Sequence, residues 1–227
     1  MGICVLELVK AGGWPMIPLL MLSAVGLAII VERLWALRRK AVVPAGLGEE
    51  VRAWAARGRL DPTHIDSLRG TSQQGALLAA ALDVRNRPRE DIRERIEDTG
   101  RHLAHGMERY LNTLGSVAAA GPLLGLFGTV VGMIQMFLGV MEVGVGDENQ
   151  LAGGIGKALV CAATGMIVAV PALMFHRWFR GRVDTYIVEM EQEAIALMDA
   201  LDPRTRRAAV AATPGAAPAA DPVPVQG

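Results

Sequence analysis

Three uncharged, strongly apolar runs organise the chain: residues 11–31, 110–141 and 158–175, the last preceded across Lys157 by the uncharged stretch 149–156. They hold 21, 32 and 18 residues, against the ~20 that carry a helix across a bilayer. Buried helices of a soluble domain rarely supply three such runs, so the pattern predicts an all-α membrane protein with three transmembrane helices. Outside the runs the periodicity is helical too. Ile92, Ile96, Thr99, Leu103, Met107, Tyr110 and Leu114 recur in steps of three and four, with Arg93, Glu94, Glu97, Asp98, Arg101 and Glu108 largely off that stripe. The stripe enters the second run with no turn signal, so the second transmembrane helix is expected to extend into the cytoplasm. Val183, Ile187, Met190, Ala194, Leu197 and Leu201 extend the third helix in the same way, with a heptad-like spacing suited to packing on a neighbour.

The expected organisation follows. An N-terminal periplasmic segment and the first membrane helix cover 1–37, and a cytoplasmic loop domain covers 38–109. The second membrane helix covers 110–141, a short periplasmic connection 142–153, and the third membrane helix 154–178. An amphipathic cytoplasmic helix covers 179–202 and a disordered Ala/Pro-rich tail 203–227. In the loop domain, 49–57 and 75–85 read as short helices, with Asp61-Pro62-Thr63 and Asn86-Arg87-Pro88 as breaks. The first run reads as a retained anchor. Only Lys10 precedes it as a basic residue, and Glu32, Arg33, Arg38, Arg39 and Lys40 follow it in place of a small-residue cleavage site.

Charge sets the orientation. Segment 38–109 holds 14 of the 23 Lys and Arg and the chain from Arg177 onward holds six, whereas 142–150 holds none. Basic segments stay cytoplasmic, which places the N-terminus outside and the C-terminus inside. Trp14, Trp35 and Trp178 sit at the run ends as interface anchors do. Lys and Arg balance 23 Asp and Glu, and aromatic residues are 4% of the chain. Neither a basic patch nor a stacking platform for nucleic acid is present in the sequence. Cys4 and Cys161 have no neighbours at ligand spacing, so no zinc module or disulfide framework is expected.

In lipid, helices associate through close backbone approach at small residues. The second helix offers Gly121-Pro122-Leu123-Leu124-Gly125 and Gly128-Thr129-Val130-Val131-Gly132; the third offers Gly154, Ala158, Ala162, Gly165 and Ala169, with Pro171 beyond. These faces predict a tight bundle and an oligomer. Thr129 and Thr164 lie near the middles of antiparallel helices, at similar expected depth, and suggest a polar lining. Gln135 lies in the outer third of helix two, and Lys157 two turns before Thr164 near the outer interface. No Asp or Glu lies inside helices two or three. Proton transfer across a bilayer needs a titratable group near its middle, so a partner would have to supply the carboxylate.

Enzymatic motifs are missing. Gly153-Gly154-Ile155-Gly156-Lys157 departs from a phosphate loop at Leu151 and Ala158. His102 and His105 lack a metal-binding or catalytic companion in sequence, and Asp147-Glu148 reads as an acidic loop. The chain is expected to be no enzyme and to use no cofactor or metal.

The motifs of the second and third helices, from Gly121 through Met133 and from Gly154 through Ala172, resemble the MotA/TolQ/ExbB proton-channel family, most closely its ExbB branch. The likeness covers the chain from the first helix to about Leu201. It implies a subunit of the bacterial inner membrane, assembled as a pentamer around a pore lined by helices two and three. Inside would sit a pair of ExbD-like or TolR-like single-span subunits carrying one membrane Asp, passing force from proton flow to a TonB-like or TolA-like protein. The implied role is powering transport across the outer membrane. TolQ-like envelope maintenance and a non-conducting scaffold of the same fold are the alternatives. On this alignment Thr129 matches the family threonine of helix two, but that of helix three falls at Ala162. Thr164 lies two residues on, about 200° around the helix. Lys157 stands where ExbB-type members often carry Glu; a cation there would repel protons or meet an acidic residue.

Overall fold

The computed structural model describes residues 12–56, 61–143 and 148–201, giving only the backbone at 142, 143 and 148–150. The expected N-terminal segment before Gly12, the middle of the 142–153 connection and the 203–227 tail lie outside the described residues. Eight helices are described: α1 (Met16–Ala36), α2 (Arg39–Val42), α3 (Leu47–Ala56), α4 (Pro62–Thr71), α5 (Gln73–Asp83), α6 (Arg89–Glu108), α7 (Leu111–Val143) and α8 (Glu148–Leu201). There is no strand among the described residues. Three helices are long and apolar enough to cross a membrane, over Met16–Ala36, Leu111–Met141 and Leu151–Leu201. The protein is an all-α membrane protein.

Two compact units share α6 and α8. The first comprises residues up to Val42 and Arg101–Val188. In it, α1 lays Met16, Leu19, Gly26, Ile30 and Arg33 inward, while Ile17, Met21, Val25, Leu27 and Val31 stay exposed. A Cβ on Gly26 would lie 3.0 Å from Cγ1 of Val117 on α7, so the two backbones cross closely there. Leu123, Leu126, Phe127 and Val130 on α7, and Leu159, Met166, Ile167 and Val170 on α8, are likewise exposed. An apolar surface of this extent is stable only under lipid or another protein.

Polar contacts fasten the Arg33 end of this unit. The continuous second helix expected from the stripe is interrupted at Arg109-Tyr110, which form a turn between α6 and α7. A helix end leaves its last carbonyls without intrahelical donors. Nη1 of the buried Arg33 donates to the Met107 carbonyl at 2.9 Å. Its guanidinium also lies 4.6 Å from the Tyr110 ring centre, and that of Arg109 lies 5.3 Å from it. Glu32 approaches Arg33 Nε at 2.8 Å. Across the unit, the Tyr186 hydroxyl donates to the Leu37 carbonyl at 3.2 Å and accepts from Arg182 at 2.9 Å.

The second unit comprises Val43–Gly100 and the chain from Glu189. α5 is its most buried helix, with Leu77, Leu78, Ala79, Ala81 and Leu82 enclosed. The turn from α4 into α5 is a single residue, Ser72, whose Oγ accepts from the Gly75 amide at 3.0 Å. That tight return brings Leu68 O within 2.3 Å of where a Gly75 Cβ would be, so only glycine fits. α4 was not expected: Asp61-Pro62 reads as a break but begins a helix, because proline at the first helical position lacks only an amide that would be unpaired anyway. Helices expected at 49–57 and 75–85 appear as α3 and α5. The described part of the 142–153 connection is helical, α7 reaching Val143 and α8 restarting at Glu148.

Both amphipathic stripes are largely buried, although Tyr110 of the first is exposed. Ile92, Ile96, Met107 and Leu114 are buried on α6 and α7, as are Val183, Met190, Ala194 and Leu197 on α8. α8 runs unbroken for 54 residues through Pro171, more than twice the ~20 a bilayer needs. Arg52 pairs with Glu193 at 2.5 Å, and Arg89 with Asp199.

Replacing Leu197 by Ala is expected to cost about 2–5 kcal/mol of stability, but replacing the neighbouring exposed Ile195 only about 0.5 kcal/mol or less; thermal unfolding in detergent compares them. Arg33→Leu, which strands the Met107 carbonyl, is expected to cost about 1–3 kcal/mol in the same measurement.

Candidate functional site

The site is the hairpin of α7 and α8, built on a seam of glycines. A Cβ at Gly121 would lie 3.0 Å from the Gly165 carbonyl and 3.0 Å from Cβ of Ala169; at Gly125, 3.2 Å from the Cys161 carbonyl; at Gly132, 3.2 Å from Cβ of Ala158. At Gly128 it would lie 2.5 Å from Cβ of Cys161, and at Gly165 2.7 Å from the Gly121 carbonyl. Five of the seven predicted packing residues thus meet within one chain. Pro122 and Pro171 are exposed, off the seam. Both prolines sit inside unbroken helices, as membrane helices tolerate.

The seam fixes the register and separates the two threonines. With Gly128 against Cys161 and Gly125 against Ala162, Thr129 is level with Val160 and Thr164 with Gly125. They stand one helical turn apart along the axis, ~6 Å. Each hydroxyl is tied to its own helix: Thr129 donates to the Leu126 carbonyl and Thr164 to the Val160 carbonyl, both at 2.7 Å.

They also turn to different sides. Thr164 shares a stripe with Val168 and Pro171, which line a cavity of about 160 Å³ against Ser23, Gly26 and Leu27 of α1. Val117 faces the same cavity from α7. Thr129 is twelve residues from Val117, about 120° around α7, and Ala162 is about 200° from Thr164 on α8. Thr129 and Ala162 therefore turn away from α1, both half-buried, whereas Thr164 is buried on the α1 side. Gln135 and Lys157 are exposed towards the hairpin end. The hairpin face turned from α1 carries one hydroxyl, not two. Among the described residues no carboxylate lies within the apolar stretches 111–141 and 151–175, and no cluster of His, Cys, Asp or Glu could hold a metal.

Sequence reasoning did not single out Cys161. Its thiol donates to the Gly12 carbonyl at 3.3 Å and fills the hollow at Gly128, so it anchors the entry of α1 to the seam. Trp14 meets Phe127 edge-on at 5.8 Å between ring centres, reinforcing that entry. Cys161 lies four residues before Gly165, on the small-residue face, which is the signal that could have found it.

Residues 69–192, more than half of the chain, match the MotA/TolQ/ExbB proton channel family. The chain belongs to this family. An ExbB-like biopolymer transport protein of Synechocystis is 34% identical over 169 residues, 73% of this chain and 66% of that protein. Biopolymer transport protein exbB1 of Vibrio cholerae is 33% identical over 165 residues, 69% of this chain and 70% of that one. Biopolymer transport protein ExbB of Salmonella typhimurium is 32% identical over 95 residues, 42% of this chain but only 37% of its own length.

The closeness at Gly128 sets a test. Gly128→Ala drives a methyl into Cys161 and is expected to cost about 1–3 kcal/mol; adding Cys161→Gly should restore most of it. Gly128→Leu is expected to unmake the hairpin, read as loss of folded protein of defined mass in detergent.

Proposed function

We propose that this protein is the proton-channel subunit of an ExbB–ExbD–TonB-like energy-transducing complex in the bacterial inner membrane. It uses the proton gradient to power transport across the outer membrane. Family membership supports this reading, as do relatives named for biopolymer transport. One physical observation carries it. The paired membrane helices expose an apolar surface with a single hydroxyl on the face turned from α1 and no carboxylate in their described apolar stretches. Such a wall can line a proton path but cannot relay protons, because threonine does not titrate near neutrality. The titratable group then comes from a single-span subunit of ExbD or TolR type bearing a membrane Asp. The protein forms a ring around it, a pentamer by family likeness. The N-terminus is periplasmic, and the second unit, which carries 12 of the 23 Lys and Arg together with the C-terminus, is cytoplasmic. Force passes onward to a TonB-like or TolA-like partner.

A second reading, a non-conducting scaffold of the same fold, is favoured by Ala162 and by the tie of both hydroxyls to their own carbonyls. Purification of the complex from its native membrane and reconstitution in vesicles separate the two. A single-span Asp-bearing subunit is expected to co-purify, and proton flux is expected that Thr129→Val abolishes. Zero flux from the intact complex supports the scaffold, and a stable monomer without partner overturns both.

A further inference from the structure

The small-residue seam of α8 ends on a histidine. Ala158, Ala162, Gly165, Ala169 and Ala172 recur in steps of four and three, and the next position in that rhythm is His176, directly after the uncharged run 158–175. Opposite it on α7 stands Gly115. A Cβ there would lie 3.2 Å from Nε2 of His176, 3.4 Å from its Cδ2 and 3.5 Å from its Cε1. The tip of the imidazole therefore rests in the hollow that the missing side chain leaves. The ring is half-buried and makes no hydrogen bond or ion pair among the described residues. Packing alone does not call for such a group, because an apolar side chain would fill the hollow without two ring nitrogens to satisfy.

The position of the ring relates it to Thr129. Gly115 lies fourteen residues before Thr129, and His176 fourteen after Ala162. Fourteen residues come within about 40° of four whole turns. Gly115 and His176 therefore keep to the sides of their helices that hold Thr129 and Ala162, turned from α1. His176 stands about 21 Å along α8 from Ala162. Between those levels α7 and α8 carry no Asp, Glu, His, Lys or Arg. His176 is thus the first such group met beyond Thr129 on that face, at the end nearer the basic segments. Around it, Arg177 and Arg180 follow on α8, both exposed. Glu108 and Arg109 lie at the turn before α7, which itself presents no charge at this level. Glu32 and Arg33 of α1 are paired with each other. None of these groups is bonded to the ring.

Imidazole is the side chain that gains and loses a proton near neutral pH, accepting it on a ring nitrogen lone pair. We propose that His176 is the proton acceptor at the cytoplasmic mouth of the path that Thr129 lines. A carboxyl group or a water delivers the proton to the free lone pair of the neutral ring, and the new N–H bond forms as the donor's O–H bond breaks. The imidazolium then gives its proton to cytoplasmic water, and the neutral ring is restored. Gly115 is the positioning partner, whose bare backbone seats the ring at the mouth. The inference rests on the proton-channel reading and its orientation.

Proton flux through the complex purified from its native membrane and reconstituted in vesicles, read with a pH-sensitive dye, tests it. His176→Gln keeps size and polarity but does not titrate. It is expected to lower flux about tenfold or more while its melting temperature stays close to that of the wild type. In His176→Ala, added imidazole is expected to restore flux. Pyrazole, a ring of the same size that does not protonate near neutral pH, should not, and imidazole should restore nothing in Thr129→Val. Unchanged flux in His176→Gln overturns the inference, as does a loss of flux that tracks a loss of folded complex. So does a His176→Ala variant that imidazole fails to rescue, or a recovery that pyrazole or Thr129→Val shows equally. In each of these cases wild-type flux still upholds the channel reading. Zero flux from the wild type overturns that reading and this inference with it.

Discussion

The distance between the backbones of the two long membrane helices is the constraint from which the rest of the first unit follows. Lipid tails are as apolar as the helices, so burial of apolar surface does not hold them together. What remains is dispersion and weak polar contact, and both fall off steeply with distance. Gly121, Gly125, Gly128, Gly132 and Gly165 remove the side chains that would keep the helices apart. Contact at that range also removes freedom. A one-residue slip would drive Gly128 away from Cys161 and set a side chain against a carbonyl. The seam is therefore a register lock as well as a source of adhesion, and it decides the level and direction of every other side chain on the hairpin.

Where the chain leaves the apolar layer a different physics takes over. The turn at Arg109-Tyr110 leaves helix-end carbonyls without intrahelical donors, and Arg33 reaches across from the first membrane helix to one of them, that of the buried Met107. Tyr186 does the same for the end of that helix through the Leu37 carbonyl. Arginine suits such a task because its charge is permanent and its planar head stacks on Tyr110 while it donates. The seam needs close contact and no polar groups; the ends need polar groups aimed at particular carbonyls. One protein meets both demands because they apply to different stretches of sequence.

That division also explains what the sequence made legible. Length and apolarity sufficed for the three membrane helices, and 3.6-residue periodicity sufficed for the buried faces of α6 and α8, since these depend on composition along one element. The glycine face was legible because a small residue every third or fourth position has few other uses in lipid. Three things were not. The break at Arg109-Tyr110 carries no glycine or proline, and the Met107 carbonyl before it is met by Arg33, 74 residues away in sequence. The helix at Pro62 hid behind a residue that signals both ends and beginnings. The separation of Thr129 from Thr164 depends on the register across the seam, which is a relation between helices; equal depth along each run said nothing of the side each hydroxyl faces.

The tie of each threonine hydroxyl to its own helix need not make it inert. A hydroxyl that donates to a carbonyl one turn back has used its proton but keeps an acceptor lone pair. Thr129 is then held as an acceptor in a fixed direction, able to receive a hydrogen bond from water or from a protonated carboxyl but unable to hand on a proton without breaking its own bond. That is the chemistry of a wall that orients a moving group, and it differs from that of a relay. Ala162 on the same side offers nothing polar, so Thr129 stands alone as the hydroxyl acceptor on that face of this hairpin. Alanine at 162 thus leaves that face fewer polar contacts without changing their kind: they accept hydrogen bonds and do not pass protons on.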